Sequence, residues 1–258
     1  MQTKEKIIEV KNIGKRYKKE VILDNVSFEV YKNEILVILG ASGCGKSTLM
    51  RMMTGLERPT SGSVRIENKD VRTHDLTRKI GVLFQHNALF GSMTIGDNIA
   101  LTIAEYTRLS NSMIQKIVAM KLDIVGLSGV ENYLPSELSG GMKKKAALAR
   151  ALALNPPILF LDEPSAGLDP ISSAEIDELI LHINKTSGTT IVVVTHELAS
   201  VFNITKRVIM LDKRKKGKIA EGTPDYLQND CPDPFVRQFF NRQATPEQGT
   251  AGITTATN

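Results

Sequence analysis

Three short stretches of the chain are continuously apolar and rich in β-branched residues: Ile35-Leu36-Val37-Ile38-Leu39, Ile158-Leu159-Phe160-Leu161 and Ile191-Val192-Val193-Val194. Each ends in a polar or glycine-containing turn. Runs of this length without alternation predict strands buried on both faces, as in a parallel sheet covered by helices. Nearer the N-terminus the pattern alternates. Ile7-Ile8-Glu9-Val10 and Val26-Ser27-Phe28-Glu29-Val30 predict strands of an antiparallel sheet with one wet face. Between about 87 and 155 the character changes. Asn98 to Val125 has helical spacing and no strand, which predicts an inserted helical subdomain. Further on, Pro232-Asp233-Pro234 breaks structure and Phe235 to Asn241 predicts a short helix. Thr245 to Asn258, rich in Thr, Gly and Ala, reads as disordered. The expected organisation is an α/β domain over 1–230 and a tail over 231–258, with no internal repeat.

Composition narrows the class. The 258 residues are 41% hydrophobic and 24% charged, which suits a globular chain with a real core. No apolar run reaches the roughly 20 residues of a membrane helix. Met1-Gln2-Thr3-Lys4-Glu5-Lys6 is not followed by the apolar stretch of a signal peptide, so a cytosolic location is expected. Two cysteines, Cys44 and Cys231, are too few for a disulfide framework. The net charge of +5 is compatible with a solvated basic surface, an anionic membrane face or nucleic acid, and does not choose among them.

The chemistry begins after the first apolar run. Gly40-Ala41-Ser42-Gly43-Cys44-Gly45-Lys46-Ser47 fits the P-loop pattern in full, between a predicted strand and a helical stretch from Thr48 to Thr54. Glycines let the backbone wrap an anion, and the helix N-terminus adds its positive end. Lys46 is expected to reach the β- and γ-phosphates of ATP, and the Ser47 hydroxyl to ligate Mg²⁺. Cys44 reads as a small loop filler, although a thiol at a helix N-terminus can be acidified. Alkylation there is expected to block ATP.

The second run delivers Asp162-Glu163 to the end of a strand, where α/β proteins place their ligand sites. Asp162 is expected to hold Mg²⁺ and Glu163 to polarise the attacking water.

Leu138-Ser139-Gly140-Gly141-Met142, ahead of an Ala-rich helix and of Asp162-Glu163, resembles the signature sequence of ABC ATPases. Gln85 in Leu83-Phe84-Gln85 resembles the family's Q-loop. Ser165-Ala166-Gly167-Leu168-Asp169 looks like its D-loop, and His196 like its switch histidine. Tyr17 stands where the family places an adenine-stacking aromatic. The resemblance spans roughly residues 6 to 225. It implies a P-loop fold with a RecA-like core, an antiparallel β edge and a helical insertion. It also implies nucleotide contacts from Tyr17, Gly40, Ser42, Gly43, Cys44, Gly45, Lys46, Ser47 and Thr48. Gln85 would join Ser47 and Asp162 at Mg²⁺, and would link it to the helical subdomain where the permease docks. Glu163, His196 and Gln85 would be the catalytic group. Ser139, Gly140 and Gly141 would close over ATP held by a second copy, so that two chains pack head to tail, with Asp169 touching the partner.

The signature ends in Met142 where the family usually has Gln. Lys143-Lys144-Lys145 follows, where many members have Gln and Arg, and is expected to form the solvated face of a helix.

Leu83 to Ile99, the LSGGM variant and Pro232 to Phe240 are similar to the ATPases of the maintenance-of-lipid-asymmetry (Mla) systems that work with MCE proteins. This likeness implies phospholipid transport between inner and outer membranes. It places the chain peripherally on the cytoplasmic side of the inner membrane, with an integral permease, an MCE protein and a small STAS-domain regulator as partners. The alternatives are an ABC motor for another substrate, such as an amino acid or a drug, or a soluble ABC ATPase acting on DNA or the ribosome. DNA-repair forms carry a long coiled-coil insertion and translation-linked forms two cassettes, and this chain has neither. A nucleotide-binding regulator without turnover is disfavoured by the presence of both Glu163 and His196. Lys213-Arg214-Lys215-Lys216 lacks interleaved aromatics and reads as a charged turn, so no nucleic-acid partner is expected.

Overall fold

A computed structural model describes residues 5–73 and 75–243. The expected disordered segment from Thr245 lies outside the described residues.

The three apolar runs are the centre of a six-stranded sheet. They form β3 (Ile35–Leu39), β7 (Ile158–Asp162) and β8 (Thr190–Thr195). β6 (Ile80–Leu83), β9 (Arg207–Asp212) and β10 (Gly217–Gly222) complete it, in the order β10-β9-β3-β8-β7-β6. All neighbours are parallel except β9 and β10, which form an antiparallel edge. The alternating N-terminal segments are β1 (Lys6–Tyr17) and β2 (Glu20–Tyr31). With β4 (Ser61–Ile66) and the short β5 (Lys69–Asp70) they make an antiparallel sheet, ordered β2-β1-β4-β5.

Side chains of the central strands divide strictly between two cores, because successive residues of a strand point to opposite faces. Val37, Leu159, Val193 and Met210 face the helical core; Leu36, Ile38, Phe160, Val192 and Ile209 face the antiparallel sheet. Between the two sheets lies α1 (Lys46–Met53), wedged there by Leu49, Met50, Met52 and Met53. The helix that carries the P-loop lysine is therefore clamped from both sides.

The opposite face is covered by α2 (Ile95–Tyr106), α3 (Asn111–Ile124), α4 (Gly140–Ala151) and α5 (Pro170–Ser187). The helical spacing expected from Asn98 to Val125 is realised as two helices. Ser110 interrupts them as the N-cap of α3, its hydroxyl accepting from Met113 N–H. Thr94, Ser139 and Asp169 cap α2, α4 and α5 in the same way. A 3-10 turn at Pro135–Glu137 leads into α4.

Two strands of the central sheet carry weaker signals. Gly81 interrupts the apolar run of β6, and only glycine fits there: a Cβ would lie 2.3 Å from the Ala151 carbonyl oxygen. In β9, Val208 to Leu211 is a continuous apolar run that would have identified the strand, had the charged residues around it not obscured it.

After α6 (Leu198–Ile204) and α7 (Pro224–Asn229) the chain ends its described course in α8 (Pro234–Phe240). Cys231, Val236 and Phe240 are buried in the same core as the parallel strands. The Phe240 ring meets Phe202 of α6 edge-on at 6.1 Å, and the Arg214 guanidinium lies 3.8 Å over the Phe235 ring. Residues 231–240 are thus packed against the body of the protein.

Truncating a core phenylalanine leaves a cavity, so Phe240→Ala is expected to destabilise the protein by about 3–5 kcal/mol. Urea unfolding with an unchanged midpoint would show that α8 is only loosely attached.

Candidate active site

Three parallel strands end side by side, and each contributes to one cluster. The loop after β3 wraps toward α1. Gly45, with φ 99°, turns the chain into α1 and packs against Leu23, where a Cβ would lie 2.8 Å from that side chain. Ala41, Ser42 and Gly43 form the exposed rim of the loop, and Thr48 is half-buried on the first turn of α1. Lys46 is buried; its ammonium donates to the carbonyls of Gly40 at 2.8 Å and Ala41 at 3.3 Å. It stands 3.8 Å from Glu163 Oε1. A buried ammonium in this position needs compensating acceptors, and the loop carbonyls and Glu163 supply them.

Ser47 Oγ donates to Asp162 Oδ1 at 3.0 Å, joining the P-loop helix to the end of β7. Burial pushes the Asp162 carboxyl above its usual range, and the Ser47 hydrogen bond opposes that shift. A hydroxyl and a carboxylate so placed suit a hard cation. Mg²⁺ sites use one or two protein oxygens and leave the rest to water and substrate phosphate. No group of three or more His, Cys, Asp or Glu that could hold a metal ion exists among the described residues.

Glu163 begins the turn after β7 with φ 50°, a left-handed conformation that costs a non-glycine residue roughly 1–3 kcal/mol. Its backbone N–H donates to Val194 O at 2.8 Å. Its carboxylate accepts from Thr195 Oγ1 at 3.1 Å and lies 2.8 Å from His196 Nδ1. His196 itself is exposed. Ser165 Oγ donates to Glu197 Oε2 at 2.8 Å and ties the turn after β7 to the residue following His196. Lys46, Ser47, Asp162, Glu163 and His196, five of the sequence-predicted residues, are brought into one site. Thr195, which aims Glu163, was missed; a threonine ending an apolar run gives no separate signal.

The remaining predicted residues lie around this cluster. Tyr17 is 44% exposed at the end of β1. Its hydroxyl donates to Glu57, with Lys15 at 4.9 Å from the ring centroid. The Glu57 carboxylate raises the Tyr17 phenol above its ordinary value. Gln85 is exposed just past β6. Ser139 caps α4, and Gly140 and Gly141 face Leu168 and Ser172. Among the described residues, no hydrogen bond joins Ser139, Gly140 or Gly141 to the P-loop. Asp169 is exposed and accepts from the N–H groups of Ile171 and Ser172.

One expectation is corrected. Lys143 to Lys145 does not form a solvated face. Lys144 is buried, donating to the Gln85 carbonyl at 2.8 Å and the Glu163 carbonyl at 3.0 Å, and Lys145 pairs with Glu175 at 2.7 Å. The reason is helical phase: position 144 of α4 points into the sheet, where two carbonyls compensate its charge. Cys44 is placed as the small loop filler that was expected. The thiol is buried, and desolvation pushes it up.

The family model for the ABC transporter matches residues 23–166. A Haemophilus influenzae protein named intermembrane phospholipid transport system ATP-binding protein MlaF is 39% identical over 244 residues, covering 92% of this chain and 91% of its own. A Mycobacterium leprae protein named probable ribonucleotide transport ATP-binding protein mkl is 40% identical over 240 residues, covering 91% of this chain and 68% of its own. A solved dimeric ATP-binding cassette, in a post-hydrolysis state with ADP and Pi, superposes with a TM-score of 0.77 at 33% identity. It covers 84% of this chain and 98% of its own.

Because its thiol is buried and raised, Cys44 should alkylate at neutral pH roughly tenfold or more slowly in the folded protein than in urea. Mass-spectrometric labelling checks this; equal rates would mean that the P-loop opens freely.

Proposed function

The chain belongs to the ABC transporter family and is an ATPase subunit, and on that premise we propose that it drives phospholipid movement between inner and outer membranes. The reading of phospholipid as cargo is carried by one observation. The Haemophilus relative, whose name states intermembrane phospholipid transport, matches over nine-tenths of both chains. The likeness of Leu83 to Ile99 and of Pro232 to Phe240 to lipid-transport ATPases points the same way. The chain works peripherally, on the cytoplasmic side of the inner membrane. A separate permease carries the lipid; no helix among the described residues is long and apolar enough to cross a membrane. An MCE protein and a STAS-domain regulator complete the assembly.

The proposed chemistry assigns each group a task. Backbone N–H groups of the P-loop, from Gly40 to Thr48, and the Lys46 ammonium bind the β- and γ-phosphates. Tyr17 packs on the adenine. Ser47, Asp162 and Gln85 hold Mg²⁺, which when bound neutralises phosphate charge. Glu163 accepts a hydrogen bond from the attacking water and orients it in line, with Thr195 and His196 fixing the carboxylate. Ser139, Gly140 and Gly141 act across a head-to-tail dimer. In support, they cluster with Leu168 and Ser172, apart from their own P-loop, and Asp169 stands exposed beside them.

Glu163→Gln should bind ATP normally, accumulate as a closed dimer in gel filtration and lose turnover by about 100-fold or more; undiminished turnover would remove Glu163 from the role of base. Lys46→Ala should bind a fluorescent ATP analogue at least about tenfold more weakly, and unaltered affinity would count against the P-loop assignment. The cargo is tested by isolating the tagged chain from its own membranes in mild detergent, with mass spectrometry of partners and lipids. Recovery of a multi-span permease, an MCE protein and phospholipid is expected. A permease with a nucleotide-binding partner would instead favour cargo of the kind named for the mycobacterial relative.

A further inference from the structure

Lys144 has no part in the assignments above, yet it sits between three of the elements they use. It projects from α4, the helix that begins with the signature residues. Its ammonium donates to the main-chain carbonyl of Gln85, beyond β6, and to that of Glu163, beyond β7. Each bond spans a different gap in sequence, 59 and 19 residues. The lysine is 5% exposed; its bond to the Glu163 carbonyl is buried and its bond to the Gln85 carbonyl half-buried. Charge-assisted bonds of this kind hold backbone groups more firmly than neutral ones do.

The carbonyl of Glu163 is a consequential place to hold. The residue is in the left-handed region, and such a conformation persists only where its surroundings over-determine it. Its N–H is fixed by Val194 and its carboxylate by Thr195 and His196, and its carbonyl accepts from the Ala166 N–H of the same turn at 3.3 Å. Lys144 adds to that carbonyl a charge-assisted bond from outside the turn, the tie that joins it to α4. The same helix fastens the next part of the Q-loop segment. Arg150 donates to the carbonyls of Asn87 at 3.0 Å and Ala88 at 2.7 Å, both residues with positive φ.

We propose that Lys144 is a positioning residue for ATP hydrolysis: it fastens the signature helix to the carbonyls of Gln85 and Glu163, and so fixes the aim of the Glu163 carboxylate. A displacement of the segment at Gln85, or of α4 itself, pulls on the Glu163 backbone through a single side chain. The inference rests on Glu163 being the residue that orients water.

The test compares Lys144→Met, which keeps the length of the side chain without its charge, with Lys144→Arg in the full-length protein. Steady-state ATPase activity, affinity for a fluorescent ATP analogue and thermal unfolding are measured together. The Met variant should lose about tenfold or more in kcat. Its KM and analogue affinity should change by less than about twofold, since Lys144 does not face the P-loop, and the Arg variant should recover most of the kcat. A Met variant with kcat within about twofold of the parent would overturn the proposal. So would a loss of kcat matched by an equal loss of ATP affinity and not recovered by Arg. If Lys144→Met does not fold, Lys144→Gln takes its place and is held to the same split. Glu163→Gln, run alongside, separates the two claims. Normal turnover there defeats the underlying assignment, whereas an inactive Glu163→Gln beside a fully active Lys144→Met defeats only the role given to Lys144.

Discussion

A buried ammonium must be compensated where it stands, and the carboxyl edge of the parallel sheet is arranged around that requirement at Lys46. Solvation is withdrawn when α1 is clamped between the two sheets. The loop carbonyls of Gly40 and Ala41 and the carboxylate of Glu163 replace it. This places β3 and β7 as neighbours of β8, because only then do the lysine, both acids and His196 converge. The two cores follow from the same demand. A strand that delivers polar groups at its end must be anchored along its length, and residues alternating between the cores provide that anchor on both faces.

Lys144 repeats the principle at a second place. Its burial would be costly without compensation, and desolvation indeed drives its pKa down while the nearby carboxylates of Asp162, Glu163 and Glu197 oppose the shift. Two carbonyls make the position tenable, and in return the helix above the site is joined to the turns below it. Asn98 performs a neutral version of this task one layer out. Its side chain bonds both backbone groups of Phe90 and the carbonyls of Met93 and Thr94, closing the loop that precedes α2.

Much of this was legible in the sequence because the relevant signals are local. The apolar runs before Gly40, Asp162 and His196 identify both the strands and the ends at which chemistry sits. The glycine pattern from Gly40 to Gly45 carries its own mechanism. Lys144 was not legible, since its environment is assembled from segments far apart in the chain, and a lysine triplet before an alanine-rich stretch has the look of a wet surface. The break in the helical insertion fared no better. Residues 107–110 hold no Gly or Pro to mark the interruption, which comes from the extended backbone of Thr107 and the capping bond of Ser110. β6 was obscured by Gly81, whose missing side chain is a packing requirement imposed by Ala151.

The strand that bears the P-loop has consequences for synthesis on the ribosome. β3 lies between β8 and β9, whose pairing begins at Ile191 and Arg207. When Ile35 to Leu39 leave the exit tunnel, neither hydrogen-bonding partner yet exists, and both edges of a wholly apolar strand are open. The antiparallel sheet formed by β1, β2 and β4 is complete much earlier and can shelter one face of it, through Leu36 and Ile38. The other face waits for the helices, and the edges wait for the last quarter of the chain. Such long-range closure favours slow completion and an interval of exposure to aggregation, during which a chaperone that shields bare strands would serve this chain better than one that accelerates local folding.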